Sequence, residues 1–358
     1  MHVFIILSIA LSTAFLYART RWKSMRMIDR DSFKVKLMIK LGIPHLLRVT
    51  GLSEILRVRY LYHFRACNGY ETLLSNTGMA AVYAEALKFQ IRDDDVFIAT
   101  YPKSGTTWMQ QIVWLICNNA DINVAEDKPL SSRIPFLETV DMTDNVSLGI
   151  QTLEKWQKNK QRIMKTHLAY GLLPEDIQSG NKCKIIYVAR NAKDVCVSYY
   201  FFHVMNMLLP HPGTWSEFLK NYSSGNILFG SWFPHVLTYW EKFQTDKERI
   251  YFTTYEAMKK DMKKEIVAVA NFLGKKLTNE QIDIIFNFCT FDSMSKNKST
   301  NYSHVKNLGW MDFKKAKFMR KGEVGDWKNY FTINENAAFD ELYNEKIKDS
   351  GLDIPFEM

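Results

Sequence analysis

Four short apolar runs recur along the chain, Val96–Thr100, Arg162–Thr166, Lys184–Ala189 and Ile250–Thr254. They are strand-like in length and composition, and they alternate with helical stretches, of which Met109–Cys117 is amphipathic. That order predicts a single α/β domain with a central parallel sheet flanked by helices on both faces. A chain of 358 residues with 47% apolar content can bury a core of that kind. No internal repeat, low-complexity tract or long Pro/Gly-rich linker interrupts it.

The run Val96–Thr100 opens directly into Tyr101-Pro102-Lys103-Ser104-Gly105-Thr106-Thr107-Trp108, at the start of the amphipathic helix. A strand–loop–helix junction of this composition predicts an anion site. The first-turn N–H groups have no helical acceptor, and the helix dipole adds positive potential. Lys103 adds a full charge beside them, so the expected guest is phosphate or sulfate. The loop is P-loop-like in position but not a Walker A loop. There the lysine follows the second of two glycines, whereas Lys103 stands two residues before the only one. An ordinary ATPase or GTPase is therefore not expected.

The octet resembles the signature of the cytosolic-type sulfotransferases that use 3′-phosphoadenosine-5′-phosphosulfate (PAPS). Two further blocks carry the same resemblance in family order, Lys184–Tyr200 and Phe318–Trp327. The first is a buried-type strand running into a helix, with Arg190 at the strand end and Ser198 two helical turns on. The second holds paired cations and a glycine, Met319-Arg320-Lys321-Gly322. The resemblance implies that Lys103, Ser104, Gly105, Thr106, Thr107 and Trp108 hold the 5′-phosphosulfate. It likewise implies that Arg190, Ser198, Arg320, Lys321 and Gly322, with Met319 beside them, hold the 3′-phosphate. Trp108, Tyr255 and Phe291 match the family's adenine contacts. PAPS is then the sulfate donor and PAP the product.

Arg162-Ile163-Met164-Lys165-Thr166-His167 ends in the family's Lys-Thr-His. The resemblance makes His167 the general base, a role that suits an imidazole with an ordinary pKa of about 6.5. Lys103 is expected on the leaving phosphate oxygen, Lys165 on the sulfuryl oxygens, and Ser198 as a holder of the lysine until acceptor binds. Phe136 and Phe202, with His167, match the family's acceptor contacts and favour a phenol, a steroid-like alcohol or an aryl amine. No metal is expected, since no His/Cys/carboxylate set with ligand spacing stands out. Five scattered cysteines offer no disulfide framework and favour a reducing, cytoplasmic setting.

The N-terminus departs from the family pattern. Residues 3–18 are almost wholly apolar and uncharged, followed at once by Arg19, Arg21, Lys23 and Arg26. The run reads as a hydrophobic anchor near the lower length limit or as the apolar part of a signal peptide. Charges placed after it favour an anchor that leaves the rest facing the cytosol. Residues 1–60 carry eleven Lys/Arg against three Asp/Glu, a net of +8, where the whole chain is +9. Residues 19–80 are thus expected to form a basic juxtamembrane extension and 81–358 the sulfotransferase domain. Phe33–Leu41 mixes cations and apolar residues as an interfacial helix does. No nucleic-acid-binding motif accompanies the charge.

Many relatives dimerise through Lys-x-x-x-Thr-Val-x-x-x-Glu. Lys328–Ala337 keeps the lysine and threonine, replaces valine by Ile333, and has alanine at the acidic position. A homodimer through this segment is expected to be weaker than in the family. Two other classes stay open on residues alone. One is a tethered protein that binds PAPS or PAP without transfer, and the other is a kinase, which the absence of a Walker A loop and metal-holding acids disfavours.

Overall fold

The computed structural model describes residues 62–65, 71–74, 77–141, 146–180, 183–206, 209, 211–308 and 311–358. The predicted anchor at 3–18, the interfacial segment at 33–41 and most of the basic extension lie outside the described residues. Strands, and helices longer than eight residues, are numbered here in chain order. Two antiparallel pairs stand outside the main sheet: β1 (Tyr62–Arg65) with β2 (Glu71–Leu74) before it in sequence, and β4 (Val140–Asp141) with β5 (Val146–Ser147) between the first and second of its own strands. The first helix among the described residues, α1 (Thr77–Leu87), begins before the predicted domain boundary at residue 81.

The central sheet has four strands, all parallel, in the order β6 (Ile163–Thr166), β3 (Val96–Thr100), β7 (Lys184–Ala189), β8 (Ile250–Thr254). These are the four apolar runs of the sequence. Only β6 starts one residue later than its run; the Arg162 carbonyl still accepts from the Val96 N–H at 3.0 Å, and its guanidinium meets buried Asp95, with Nε to Oδ1 at 2.7 Å and Nη2 to Oδ2 at 2.5 Å.

Every residue of β3 is buried, and its side chains alternate between two apolar layers. Phe97 and Ala99 join Tyr187, Tyr199 on α3 (Ala192–Met205), Val236 on α5 (Trp232–Thr245) and Phe339 on α8 (Ile333–Ile347). Helix α4 (Trp215–Ser223) adds Phe218 to that layer. Val96 and Ile98 join Met109 and Ile112 on α2 (Thr106–Cys117), Val269 on α6 (Met262–Phe272) and Ile285 on α7 (Asn279–Phe288). A sheet covered on both faces has no need of polar positions within its strands, which is why the runs read as continuous.

The register aligns the strand ends. Ala99 pairs with Thr166, Thr100 with Val188, and Ala189 with Thr254, so His167, Tyr101, Arg190 and Tyr255 all leave along one edge. The chain passes from β3 to β6 on one side, then returns across to β7 on the other. In open parallel sheets the crevice outside the carboxyl ends at such a reversal is where ligands gather. Here it lies between the loop after β3 and Arg190.

Candidate active site

The loop Tyr101–Gly105 is shaped by two residues in the left-handed region, Lys103 at φ 70° and Gly105 at φ 103°. Gly105 has a second reason to lack a side chain: a Cβ there would fall 2.8 Å from the Tyr255 ring. Gly105 caps α2 without any side-chain hydrogen bond; the Trp108 N–H donates to the Gly105 carbonyl at 3.0 Å, and the N–H groups of Thr106 and Thr107 before it have no such acceptor. Thr106 Oγ1 lies 2.6 Å from Thr100 Oγ1 and closes the loop onto the strand it leaves. Thr107 occupies the same first turn.

Around this loop, Ser104 Oγ, Trp108 Nε1, Arg190 Nε and Arg320 Nε are buried polar atoms without a protein partner. Buried donors of this kind are costly unless a ligand completes them, and four of them around an open helix N-terminus fit an anionic nucleotide. The Trp108 and Tyr255 rings meet edge to face at 5.3 Å, and the Arg190 guanidinium lies over Tyr255 at 4.2 Å. Arg190 is held in place through Nη2 to the Glu323 carbonyl at 2.7 Å and by the Asp194 carboxylate at 3.7 Å.

Asp194 accepts from the backbone N–H groups of Gly325 and Trp327, at 2.8 and 3.0 Å. Helix α3 thereby brings the segment after Phe318 against the loop. Within that segment, Arg320 and Lys321 both engage Asp326, each at 2.5 Å. Gly322 packs so tightly on Phe291 that a Cβ would come within 2.2 Å of the ring. Met319 packs, partly buried, on the α2 side of the sheet.

One strand over, β6 presents Lys165 and His167. The His167 ring is tied through Nδ1 to the Thr100 carbonyl at 2.8 Å. A carbonyl can only accept, so Nδ1 carries the proton and Nε2 is left as the free base. The backbone of His167 is held on both sides. Its N–H donates to Glu138 Oε1 at 2.7 Å, and its carbonyl accepts from His235 Nε2 at 2.9 Å. His235 in turn accepts at Nδ1 from the Tyr187 hydroxyl, 2.9 Å away. Burial first, and then Lys165, pushes the His167 imidazole well below its ordinary range, although its bond to Thr100 opposes this. Burial likewise lowers His235 to about 4 and raises Glu138 to about 7.

The two lysines stand in an aromatic cage. Lys165 Nζ lies 4.4 Å over Phe136 and 3.4 Å from the Tyr302 hydroxyl. Tyr302 packs on Phe318 at 4.1 Å, and Lys103 Nζ lies 4.3 Å over Phe318 and 4.8 Å over Phe202. Burial first, and then Arg190, Lys165 and Arg320, lowers the Lys103 ammonium to about 7. Phe136 and Phe229 meet the His167 ring edge to face at 5.2 and 5.4 Å.

Most of the residues singled out in the sequence lie along this one edge of the sheet. The Phe202 ring lies under the Lys103 ammonium, 4.8 Å from it. Ser198 is half-buried on α3, and the Lys103 ammonium bonds the Phe318 carbonyl at 3.4 Å instead of this hydroxyl. Sequence reasoning passed over Thr100, Glu138, Phe229, His235, Tyr302, Phe318 and Asp326. Of these only Glu138, a carboxylate at the end of the apolar run Ile134–Leu137, left any local signal.

An α/β sheet with an anion loop at its reversal point and a buried histidine one strand away is a framework that fits group transfer from an anionic donor. A family model described as "Sulfotransferase domain" matches residues 93–351. Sulfotransferase 1B1 of Canis lupus familiaris is 43% identical over 271 residues, covering 76% of this chain and 89% of that protein. Sulfotransferase 1E1 of Homo sapiens is 42% identical over 270 residues, covering 75% and 89%.

Among solved structures, retinol dehydratase in a complex with retinol and PAP superposes with a TM-score of 0.73 at 25% identity, covering 82% of this chain and 92% of that one. Mouse sulfotransferase SULT7A1 complexed with PAP gives 0.63 at 31% identity, covering 81% and 96%. The chain belongs to the sulfotransferase domain family and is a sulfotransferase. Among the described residues no group of His, Cys, Asp and Glu could hold a metal ion, and no helix is long and apolar enough to cross a membrane.

Proposed function

We propose that the protein moves the sulfuryl group of PAPS to a hydroxyl or amine of a small apolar or aromatic acceptor, in line, with His167 as general base. His167 Nε2 takes the acceptor proton as the new bond to sulfur forms. The bond from sulfur to the 5′-phosphate oxygen breaks, and PAP leaves. Charge builds on that leaving oxygen and on the sulfuryl oxygens, where Lys103 and Lys165 act by electrostatic stabilisation. Ser198, on α3, holds Lys103 off the donor once PAPS is bound and until acceptor arrives.

The backbone and side chains of residues 103–108 take the 5′-phosphosulfate. Arg190, Ser198, Arg320, Lys321 and Gly322, with Met319 beside them, take the 3′-phosphate. Trp108, Tyr255 and Phe291 face the adenine. Phe136 and Phe202 wall the acceptor, which we take to be a phenol, steroid-like alcohol or aryl amine. Retinol dehydratase, solved with retinol and with androsterone, supports an apolar alcohol.

The observation that carries this reading is the hydrogen bond that leaves His167 Nε2 unprotonated, on the strand beside the open anion loop. It is tested by transfer of labelled sulfate from PAPS to a panel of phenols, steroids, aliphatic alcohols and amines. His167→Ala is expected to lose roughly 10²–10⁴-fold in kcat while PAP binding stays near that of the wild type. Normal turnover in that variant would remove His167 as the base.

We also propose that residues 1–18 anchor the protein, with 19–80 as a basic juxtamembrane segment and 81–358 facing the cytoplasm. The net charge of +8 in residues 1–60 supports this. A homodimer contact through Lys328–Ala337 is supported by Ile333, 89% exposed at the start of α8.

A further inference from the structure

We propose that Glu138 is a positioning residue that sets the Lys165–His167 end of β6; the proposal rests on the sulfuryl-transfer reading above. Alternate residues of an extended chain face opposite sides, so Lys165 and His167 share the side of the site and Thr166 points away from it. Glu138 grips this segment from behind. Its Oε1 accepts from Thr166 Oγ1 at 2.8 Å and from the His167 N–H at 2.7 Å.

Glu138 is 2% exposed, and Oε2 has no protein partner, so its one engaged oxygen is committed to these two donors. The same carboxyl belongs to the acceptor wall. Lys165 N–H donates to the Pro135 carbonyl and Leu137 N–H to the Lys165 carbonyl, both at 3.0 Å, which makes Phe136 a parallel partner of Lys165. Glu138 therefore ties three things to one frame: the wall bearing Phe136, the cation Lys165 and the base His167. None of the elements of the anion loop takes part in this tie, so its loss falls on the chemical step rather than on nucleotide binding.

The distinction from a merely structural buried acid lies in how rate and affinity separate. Glu138→Met keeps the volume but removes the acceptor oxygen, while Glu138→Gln keeps an oxygen for both donors. In the full-length protein, Glu138→Met is expected to lower kcat roughly ten- to a hundredfold, as small misplacements of a reacting group do. The KM for PAPS and the Kd for PAP should stay within about twofold, because the interaction lost is one expressed in the transition state. Glu138→Gln should restore most of the rate.

An unchanged kcat in Glu138→Met, a parallel loss of PAP affinity, or no rescue by Gln would each overturn the assignment. If the Met variant does not fold, Thr166→Val carries the test. A lower kcat at an unchanged KM for PAPS supports the tie, and an unchanged kcat overturns it. Failure of Glu138 alone leaves the wild type active, whereas a wild type that transfers sulfate to no acceptor overturns the parent reading and this one with it.

Discussion

At the scale of single residues, Lys103 has the most consequential environment. It sits among Arg190, Lys165 and Arg320 in a buried setting, and its ammonium is lowered to about 7. In the free protein it is therefore largely uncharged at pH 8 and charged at pH 6. A bound phosphate favours the ammonium and raises its pKa. PAP binding should then take up close to one proton at pH 8 and almost none at pH 6. Affinity should fall as pH rises above about 7. Calorimetric titration in two buffers of different ionisation enthalpy reads the proton count directly. Zero uptake at pH 8, or an uptake that persists in Lys103→Met, would contradict the assignment. The neighbouring residue choices follow the same logic of placement. His167 has no need of a carboxylate to fix its tautomer, because the Thr100 carbonyl is already aligned by the β3–β6 register.

At the scale of elements, the segment from Phe318 to the short 3₁₀ helix at Asp326–Asn329 has no regular structure of its own and is held by its neighbours. Asp194 secures its backbone, Asp326 gathers Arg320 and Lys321, and Gly322 lies face to face with Phe291. Gly322 has φ 72°, so alanine there meets two penalties, an unfavourable backbone and a ring it cannot avoid. Gly322→Ala is expected to weaken PAP binding by about tenfold or more, about 1.4 kcal/mol per decade, and to shift Phe291. An unchanged Kd for PAP would show that the loop and the ring are independent.

The four strands were legible because burial on both faces leaves a continuous apolar signature within a few residues. This segment was legible only as a pattern of cations and glycine. What holds it, Asp194, lies more than a hundred residues away in the chain.

At the scale of the molecule, charge divides the chain in two. Residues 1–60 carry +8 of a total +9, which leaves 61–358 with +1. The sheet, the anion loop and the histidine all lie in the nearly neutral part. Protein lacking residues 1–60 is expected to keep sulfuryl transfer and to lose binding to anionic vesicles, where each cation near the surface contributes about 1 kcal/mol. Cosedimentation with vesicles of mixed neutral and anionic lipid, run beside the transfer assay, checks both halves. Vesicle binding that survives the truncation would place the membrane surface elsewhere in the molecule.

Sequence alone placed the loop that begins at Tyr101 and the four strands of the central sheet, though not the two short antiparallel pairs. The strands and the loop are written in stretches short enough to carry their own periodicity or composition, whereas His167, Arg190 and the Arg320–Gly322 cluster stood out only through resemblance to the sulfotransferase family. Only the tertiary structure decided that Thr100, Glu138 and His235 hold His167, that Tyr302 and Phe318 sit between the two lysines, and that Asp326 engages Arg320 and Lys321. His167 lies 67 positions from Thr100, and Lys103 lies 215 from Phe318. Contacts of that kind are set by strand order and register, through burial that no local window records.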